Sequence, residues 1–327
     1  MSTLTPPRPS LRGPVRVVVR QHRWTLRLAG GLVLLAVVGL IAVALRSSHV
    51  AEVFAASGCP VNGGSGRACD VTARSYLDSM VKYRTAFGCF TFALTVLPAL
   101  FSAFVAGPLI ARELENGTFK LSWAQSVSPA RWLAAKLAVP TVLLLAGVSV
   151  LTAVIAWARS RADTLYAPQW HDAFVFGTSG VLPLAYTVLG MAVGAVTGLL
   201  VRRTFPALTV SALVTGTAVS VFAYGRAELW PPRTLSGAPL NAEEGMWWVE
   251  TGHLTSSGER LSQDVCSRPT FIGTDRCLAD HDVTSHYLDY HPASHFWPIQ
   301  LVETGILLAL AALAVAAAFR VLRRRTA

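Results

Sequence analysis

Six apolar windows, near residues 28–45, 86–106, 137–157, 179–200, 205–224 and 301–319, dominate the chain. Each approaches or exceeds the ~18–20 residues that a helix needs to cross a bilayer. Hydrocarbon offers no water to peptide groups, so segments of this kind satisfy their N–H and C=O groups internally, as helices. The expected fold is an all-α integral membrane protein with six transmembrane helices. Hydrophobic residues make up 53% of the 327 and charged residues 14%, which excludes an ordinary soluble domain. A long basic segment precedes the first window and no small-residue cleavage site follows it, so it reads as a retained helix rather than a signal peptide.

The basic residues fall on one side of these windows. Arg8, Arg12, Arg16, Arg20, Arg23 and Arg27, then Arg112, Lys120, Arg131 and Lys136, then Arg202 and Arg203, and finally Arg320 and Arg323 to Arg325 share that side with Glu113 and Glu115. Most acids, among them Asp70, Asp78, Glu243, Glu244, Glu250, Asp280, Asp282 and Asp289, fall on the other. The positive-inside rule then places both termini and residues 108–136 in the cytoplasm, with the large segment 225–298 outside. The net charge of +10 is explained by juxtamembrane arginines facing anionic membrane lipids, and no nucleic-acid partner is needed.

Four regions follow. Residues 1–27 form a basic cytoplasmic N-terminus in which arginines spaced by three or four predict an interfacial helix. Residues 28–224 hold spans one to five, 225–298 form an extracellular loop domain, and 299–327 carry span six with a basic tail. Residues 46–85 read as an outer loop of modest structure, with a more helical stretch from Val71 to Phe87 leading into span two. In span four, Gly190, Gly194 and Gly198 form a small-residue face suited to close packing, within the chain or with a dimer partner. Pro98 and Pro140 mark candidate kinks. Arg202-Arg203-Thr204 reads as a tight hairpin.

Residues 108–136 form a polar island between two long apolar runs. Arg112, Glu113 and Glu115 open it, Asn116-Gly117 signals a turn, and Ser128-Pro129 reads as an N-cap and first helical position. The run 112–118, followed by Trp123-Ala124-Gln125-Ser126-Val127 and by Arg131-Trp132 before Lys136, resembles the cytoplasmic loop of bacterial ABC exporter permeases. Arg20 to Arg23, and His291 to Gln300 leading into Glu303, resemble the same group. The resemblance implies a coupling helix in this loop, with Arg112, Glu113, Glu115, Gly117, Thr118, Trp123, Gln125 and Ser126 facing a separate ABC ATPase. It also implies a second permease subunit, in a homo- or heterodimer, export of a hydrophobic or lipid-like substrate, and a multi-pass location in the bacterial plasma membrane. No cofactor is expected on this chain, since ATP is used by the partner.

The rest of the chain offers no visible catalyst: no phosphate loop, nucleophile elbow, dinucleotide fingerprint, HExxH or CxxC occurs. Cys59 with Cys69, and Cys266 with Cys277, are candidate disulfides in outer loops, although four cysteines allow three connectivities. Cys89 reads as a small residue in a packed helix. His281, His286, His291 and His295 match no standard metal spacing, and no metal site is expected. Tyr290, Phe296 and Trp297 read as an interfacial anchor. Gln300 and Glu303 enter span six as translocation candidates, an ionisable group there being functional or paired with an outer-loop arginine. An alternative is a membrane-embedded enzyme or sensor acting through the histidine-rich outer domain. An ion-coupled transporter would need charges at mid-membrane depth, and only Glu303 comes near.

Overall fold

The computed structural model describes residues 23–62, 66–119, 128–162, 167–237, 245–266 and 274–326. It has six helices long and apolar enough to cross a membrane, so the chain is a mostly helical, multi-pass membrane protein. They are α1 (Arg23–Ser57), α2 (Arg67–Leu100), which continues through a π-turn (Phe101–Ala106) into α3 (Gly107–Glu115), α4 (Pro129–Ser160), α6 (Leu182–Val201), α7 (Thr204–Gly225) and α9 (Phe296–Thr326). A short helix α5 (Ala173–Thr178) precedes α6. One end of the bundle, the loop end, carries the α3–α4 and α6–α7 connections and the end of α9. The other, the sheet end, carries strands β1 (Arg233–Gly237), β2 (Trp247–Thr255), β3 (Arg260–Ser262) and β4 (Val283–His291), with the small helix α8 (Thr274–Asp280).

The spans exceed the apolar windows because a helix does not stop where its residues turn polar. At 1.5 Å per residue, the 35 residues of α1 reach about 52 Å, well beyond a ~30 Å hydrocarbon layer. The helical stretch expected from Val71 to Phe87 lies inside α2, which starts earlier, at Arg67, and α1 runs on to Ser57, so residues 46–85 hold more helix than the modest outer loop expected. Phe54 stacks on Tyr76 with ring centroids 4.1 Å apart, and Ala73 and Met80 complete a small core in this projecting hairpin. The Cys59–Cys69 disulfide closes its tip. At the other end of α1, Arg23 and Arg27 lie in a helix continuous with the first span. Residues 1–22 lie outside the described residues.

α6 is the centre of the bundle. About two-thirds of it is buried, against a third or less of every other span, and it packs on α2, the π-turn, α3, α4, α7 and α9. Its glycine face meets α2 and its continuation within the same chain. A Cβ at Gly190 would lie 2.5 Å from the Pro98 carbonyl oxygen, one at Gly194 2.5 Å from Ala106 Cβ, and one at Gly198 2.8 Å from the Gly107 carbonyl oxygen. The π-turn begins three residues after Pro98, which cannot donate a helical hydrogen bond. Ser102 and Ser211 then exchange hydroxyl-to-carbonyl hydrogen bonds of 3.4 and 3.2 Å, tying the turn to α7. α6 starts at Leu182, later than its apolar window, because Gly180 turns with φ 62°. Arg202 closes the helix at φ 58°, which makes the Arg202-Arg203 hairpin tight.

Among the described residues, the segment between α7 and α9 holds a four-stranded antiparallel sheet of order β1-β4-β2-β3. These strands were not among the expected elements, being too short to stand out as apolar windows. On β4, buried Asp289 accepts from Thr234 Oγ1 (2.5 Å) and from Arg260 Nη1 (2.7 Å), and the Arg260 guanidinium lies over the Tyr287 ring. The second disulfide joins Cys266, at the end of the turn after β3, to Cys277 of α8. Cys89 is exposed on α2 and faces outward, so it is not a packed core residue.

The glycine face gives a direct expectation. Gly194→Ala overpacks the α6–π-turn contact and should lower stability by about 1–3 kcal/mol. Gly216→Ala, whose new methyl meets nothing within 4 Å, should leave it unchanged or slightly raised. Thermal unfolding in detergent, followed by tryptophan fluorescence, compares the two.

Candidate functional site

At the loop end, the polar island opens with the last turns of α3. Asn116 caps α3 by donating its N–H to the Arg112 carbonyl (3.0 Å), and Gly117 turns at φ 70°. Ser128 caps α4 by accepting from the Arg131 N–H at 3.4 Å, with Pro129 in the first turn. Glu113 bridges the two helices: one carboxylate oxygen accepts from Lys136 Nζ and the other from the Trp132 indole N–H at 3.0 Å. Glu115 reaches elsewhere. Its Oε2 accepts from both the N–H (2.9 Å) and the hydroxyl (2.7 Å) of Thr204, at the start of α7 where free amides favour an anion. The two carboxylates therefore fasten the turn to α4 and α7 of the same chain. Below them, Ile110, Trp132, Leu133, Leu199 and Leu322 form a core joining α3, α4, α6 and α9. Arg112 and Thr118 are exposed. Trp123, Gln125 and Ser126 lie outside the described residues.

At the sheet end, Glu303 of α9 is fully buried and fully partnered. Arg226, just past α7, donates to it through Nε (2.7 Å) and Nη2 (3.0 Å), and the Tyr186 hydroxyl of α6 donates at 2.5 Å. Arg226 also donates to the Ala173 carbonyl (3.3 Å) and lies 4.5 Å over the Phe176 ring of α5. One carboxylate thus ties four elements together. Gln300, one turn earlier, donates to the carbonyls of Phe176 (3.0 Å) and Ser179 (3.2 Å). Its Oε1 packs against Gly180, where a Cβ would come within 2.8 Å.

A cavity of about 370 Å³ opens between α2, α5, α6 and α7. Its wall is mostly apolar, including Phe92, Pro98, Phe174 and Val219, and its polar lining includes Thr95, Tyr186, Ser220 and Arg226. Neither Gln300 nor Glu303 lines it. They stand behind the wall and position Tyr186 and Arg226, which do. Of the two readings kept open for Glu303, the pairing with an arginine beyond the apolar window is the arrangement seen here. Neither residue was singled out from the sequence: Arg226 stands just past an apolar window, two residues before Glu228, and Tyr186 carries no signal beyond being a hydroxyl inside one.

The four histidines do not form one site. His286 faces His253, its cross-strand partner on β2, with Nδ1 atoms 2.9 Å apart. His291 contacts His295, Nδ1 to Nδ1, at 3.0 Å. His291 Nε2 lies 2.9 Å from the Ala227 carbonyl, which can only accept. Nε2 of His291 is therefore protonated, its Nδ1 is bare, and His295 donates. Burial pushes the His291 value down, opposed by the Ala227 carbonyl, and favours this neutral arrangement. Burial and then His286 lower His253 likewise. His281 stands apart, beside Cys266 and Cys277. Phe296 packs inward with Trp170, Phe176 and Trp247, while Trp297 is exposed, so only part of the expected aromatic anchor faces outward.

A family model described as ABC-2 membrane transporter related matches residues 30–226, more than half of the chain. The chain belongs to that family. No curated protein and no solved structure matches it. Membership makes this ABC-2 chain a permease-type transport component rather than an enzyme, and it implies partnership with an ABC ATPase. The matched region contains both ends of the polar island and stops at Arg226, so Glu303 and the sheet lie outside it.

The buried pair yields a cycle of variants. Glu303→Ala leaves the Arg226 guanidinium buried without its counter-charge and should cost about 3–5 kcal/mol. The double change Arg226→Met with Glu303→Leu removes both charges and should recover most of that loss. Thermal unfolding of the two purified proteins distinguishes a paired structural ion from an unpaired one.

Proposed function

We propose that this ABC-2 chain is the membrane subunit of an ATP-driven exporter in a bacterial plasma membrane. Its loop end faces the cytoplasm and docks on a separate ABC ATPase, and a second permease subunit completes the pathway. The observation that carries the reading is the loop end itself, where Glu113 and Glu115 fasten one polar turn to α4 and α7. A push on a turn held this way moves helices rather than bending a loop. Orientation is supported by the arginines at that end, including Arg23, Arg27, Arg112, Arg131, Arg202, Arg203, Arg320, Arg323 and Arg324.

Arg112, Glu113, Glu115, Gly117, Thr118, Trp123, Gln125 and Ser126 form the coupling segment. In it, Glu113 and Glu115 set the shape that the partner meets. The substrate is hydrophobic or lipid-like, in keeping with the apolar wall of the 370 Å³ cavity, and contacts Tyr186 and Arg226 rather than Gln300 and Glu303. Alternation between states facing the two sides follows from a partner that binds one conformation more tightly. An enzyme or sensor centred on the outer histidines is disfavoured, because His281, His286 and His291 sit in three separate surroundings.

Gentle solubilisation of the tagged chain from its native cell should recover an ABC ATPase. Recovery should fall several-fold when Glu113 and Glu115 are both changed to Ala. Absence of any ATPase across several detergents would contradict the proposal, and undiminished recovery by the double variant would remove the two carboxylates from it.

A further inference from the structure

We infer that Cys266, Cys277 and His281 form a redox-gated site for a thiolate-loving divalent metal such as Zn²⁺, closed as a disulfide and opened by reduction. Two disulfides of nearly equal loop length exist in this chain, with sequence separations of 10 and 11, and they differ in their surroundings. The ligand atoms of Cys266, Cys277 and His281 all lie within 4.8 Å of one another. Among the described residues, Cys59 and Cys69 have no third histidine, cysteine or carboxylate so placed.

The local fold explains the grouping. Cys277 lies in α8, and the His281 N–H donates to the Cys277 carbonyl at 3.1 Å, which continues the helical turn. The two side chains, four residues apart, therefore share a face. Cys266, buried at the end of the segment after β3, meets that face. Cys277 is half-buried and His281 exposed, so the site opens to solvent on one side. Three ligands of this kind with a fourth position left to water make an open Cys₂His metal centre.

The gate is chemical. Two electrons and two protons from a dithiol reductant cleave the Cys266–Cys277 bond to two thiols, and the reductant leaves as its own disulfide. The freed sulfurs separate to the ~3.8 Å spacing that Zn–S bonds of about 2.3 Å require in a tetrahedron. Metal binding then releases the two thiol protons. In the oxidised state both sulfurs are committed to each other and the imidazole stands alone, so the metal is not held.

Co²⁺ serves as the spectroscopic probe on the full-length, detergent-solubilised protein carrying Cys89→Ser to remove the unpaired thiol. A phosphine is the reductant, because it takes oxygen from water and does not compete for the metal as a dithiol would. Reduced protein should bind one Co²⁺, with thiolate-to-metal charge-transfer absorption and visible d–d bands that Zn²⁺ abolishes, while oxidised protein should show neither. His281→Ala, a surface change, should weaken binding by at least ~10-fold. Cys266→Ser with Cys277→Ser should abolish the bands, and Cys59→Ser with Cys69→Ser should leave them intact. No charge-transfer band after reduction, equal affinity in His281→Ala, or loss of the bands with the Cys59 and Cys69 changes would each overturn the site.

Discussion

The close contact of α6 with α2, the π-turn and α3 is the constraint on which the rest of the structure depends. Helices in lipid gain little from the hydrophobic effect on meeting each other, so they are held by tight packing and by polar groups. Gly190, Gly194 and Gly198 remove the side chains that would keep the backbones apart, and nothing larger than hydrogen fits at these positions. Once α6 is seated, its two ends fix two polar sites. Tyr186 near its start reaches Glu303, and the hairpin at its finish presents Thr204 to Glu115. The loop end and the sheet end are thereby attached to one rigid element.

The sheet end adds a second requirement. A carboxylate with no exposure inside a membrane protein is tolerable only when its charge and lone pairs are answered, and Arg226 with Tyr186 answers them. The residue after Arg226, Ala227, receives the His291 hydrogen bond, so the ion pair and the His291–His295 contact lie side by side where β4 passes into α9. Trp170 reinforces the same junction by donating its indole N–H to the Gly245 carbonyl at 2.7 Å. The sheet is therefore not a freely hanging domain. It is fastened at the point where the buried charges are satisfied, and the cavity lined by Tyr186 and Arg226 lies against that junction.

Much of this was legible in the sequence, and the remainder was hidden for physical reasons. The six spans, the Ser128 cap, the Gly117 turn and the tight hairpin at Arg202 follow from local chemistry, which acts over a few residues. The glycine face was visible as a spacing, but its partner was not, because spacing says that backbones approach without saying which ones do. The same limit separated the histidines: His281 to His295 are neighbours in the chain, whereas His253, the true partner of His286, is brought in by strand pairing. The apolar windows stop short of the helix ends where polar residues continue a helix, as at Ser57 and Arg67. Glu113 and Glu115 stood out as acids in a basic loop expected to face a partner, and their ties to Lys136, Trp132 and Thr204 emerge only once the helices are placed side by side.

In the proposed exporter, a displacement imposed on the loop end passes along α6 and α7 to the cavity and the junction beyond it. The most direct measurement is pulsed electron-spin distance analysis on the reconstituted complex with its ATPase. One spin-label pair would sit at the loop end, on Arg131 and Arg203, and a second at the sheet end, on Lys82 and Thr284. Addition of a non-hydrolysable ATP analogue should shift both distance distributions together. A shift confined to the loop-end pair, with the sheet-end pair unmoved, would contradict the coupling of the two ends.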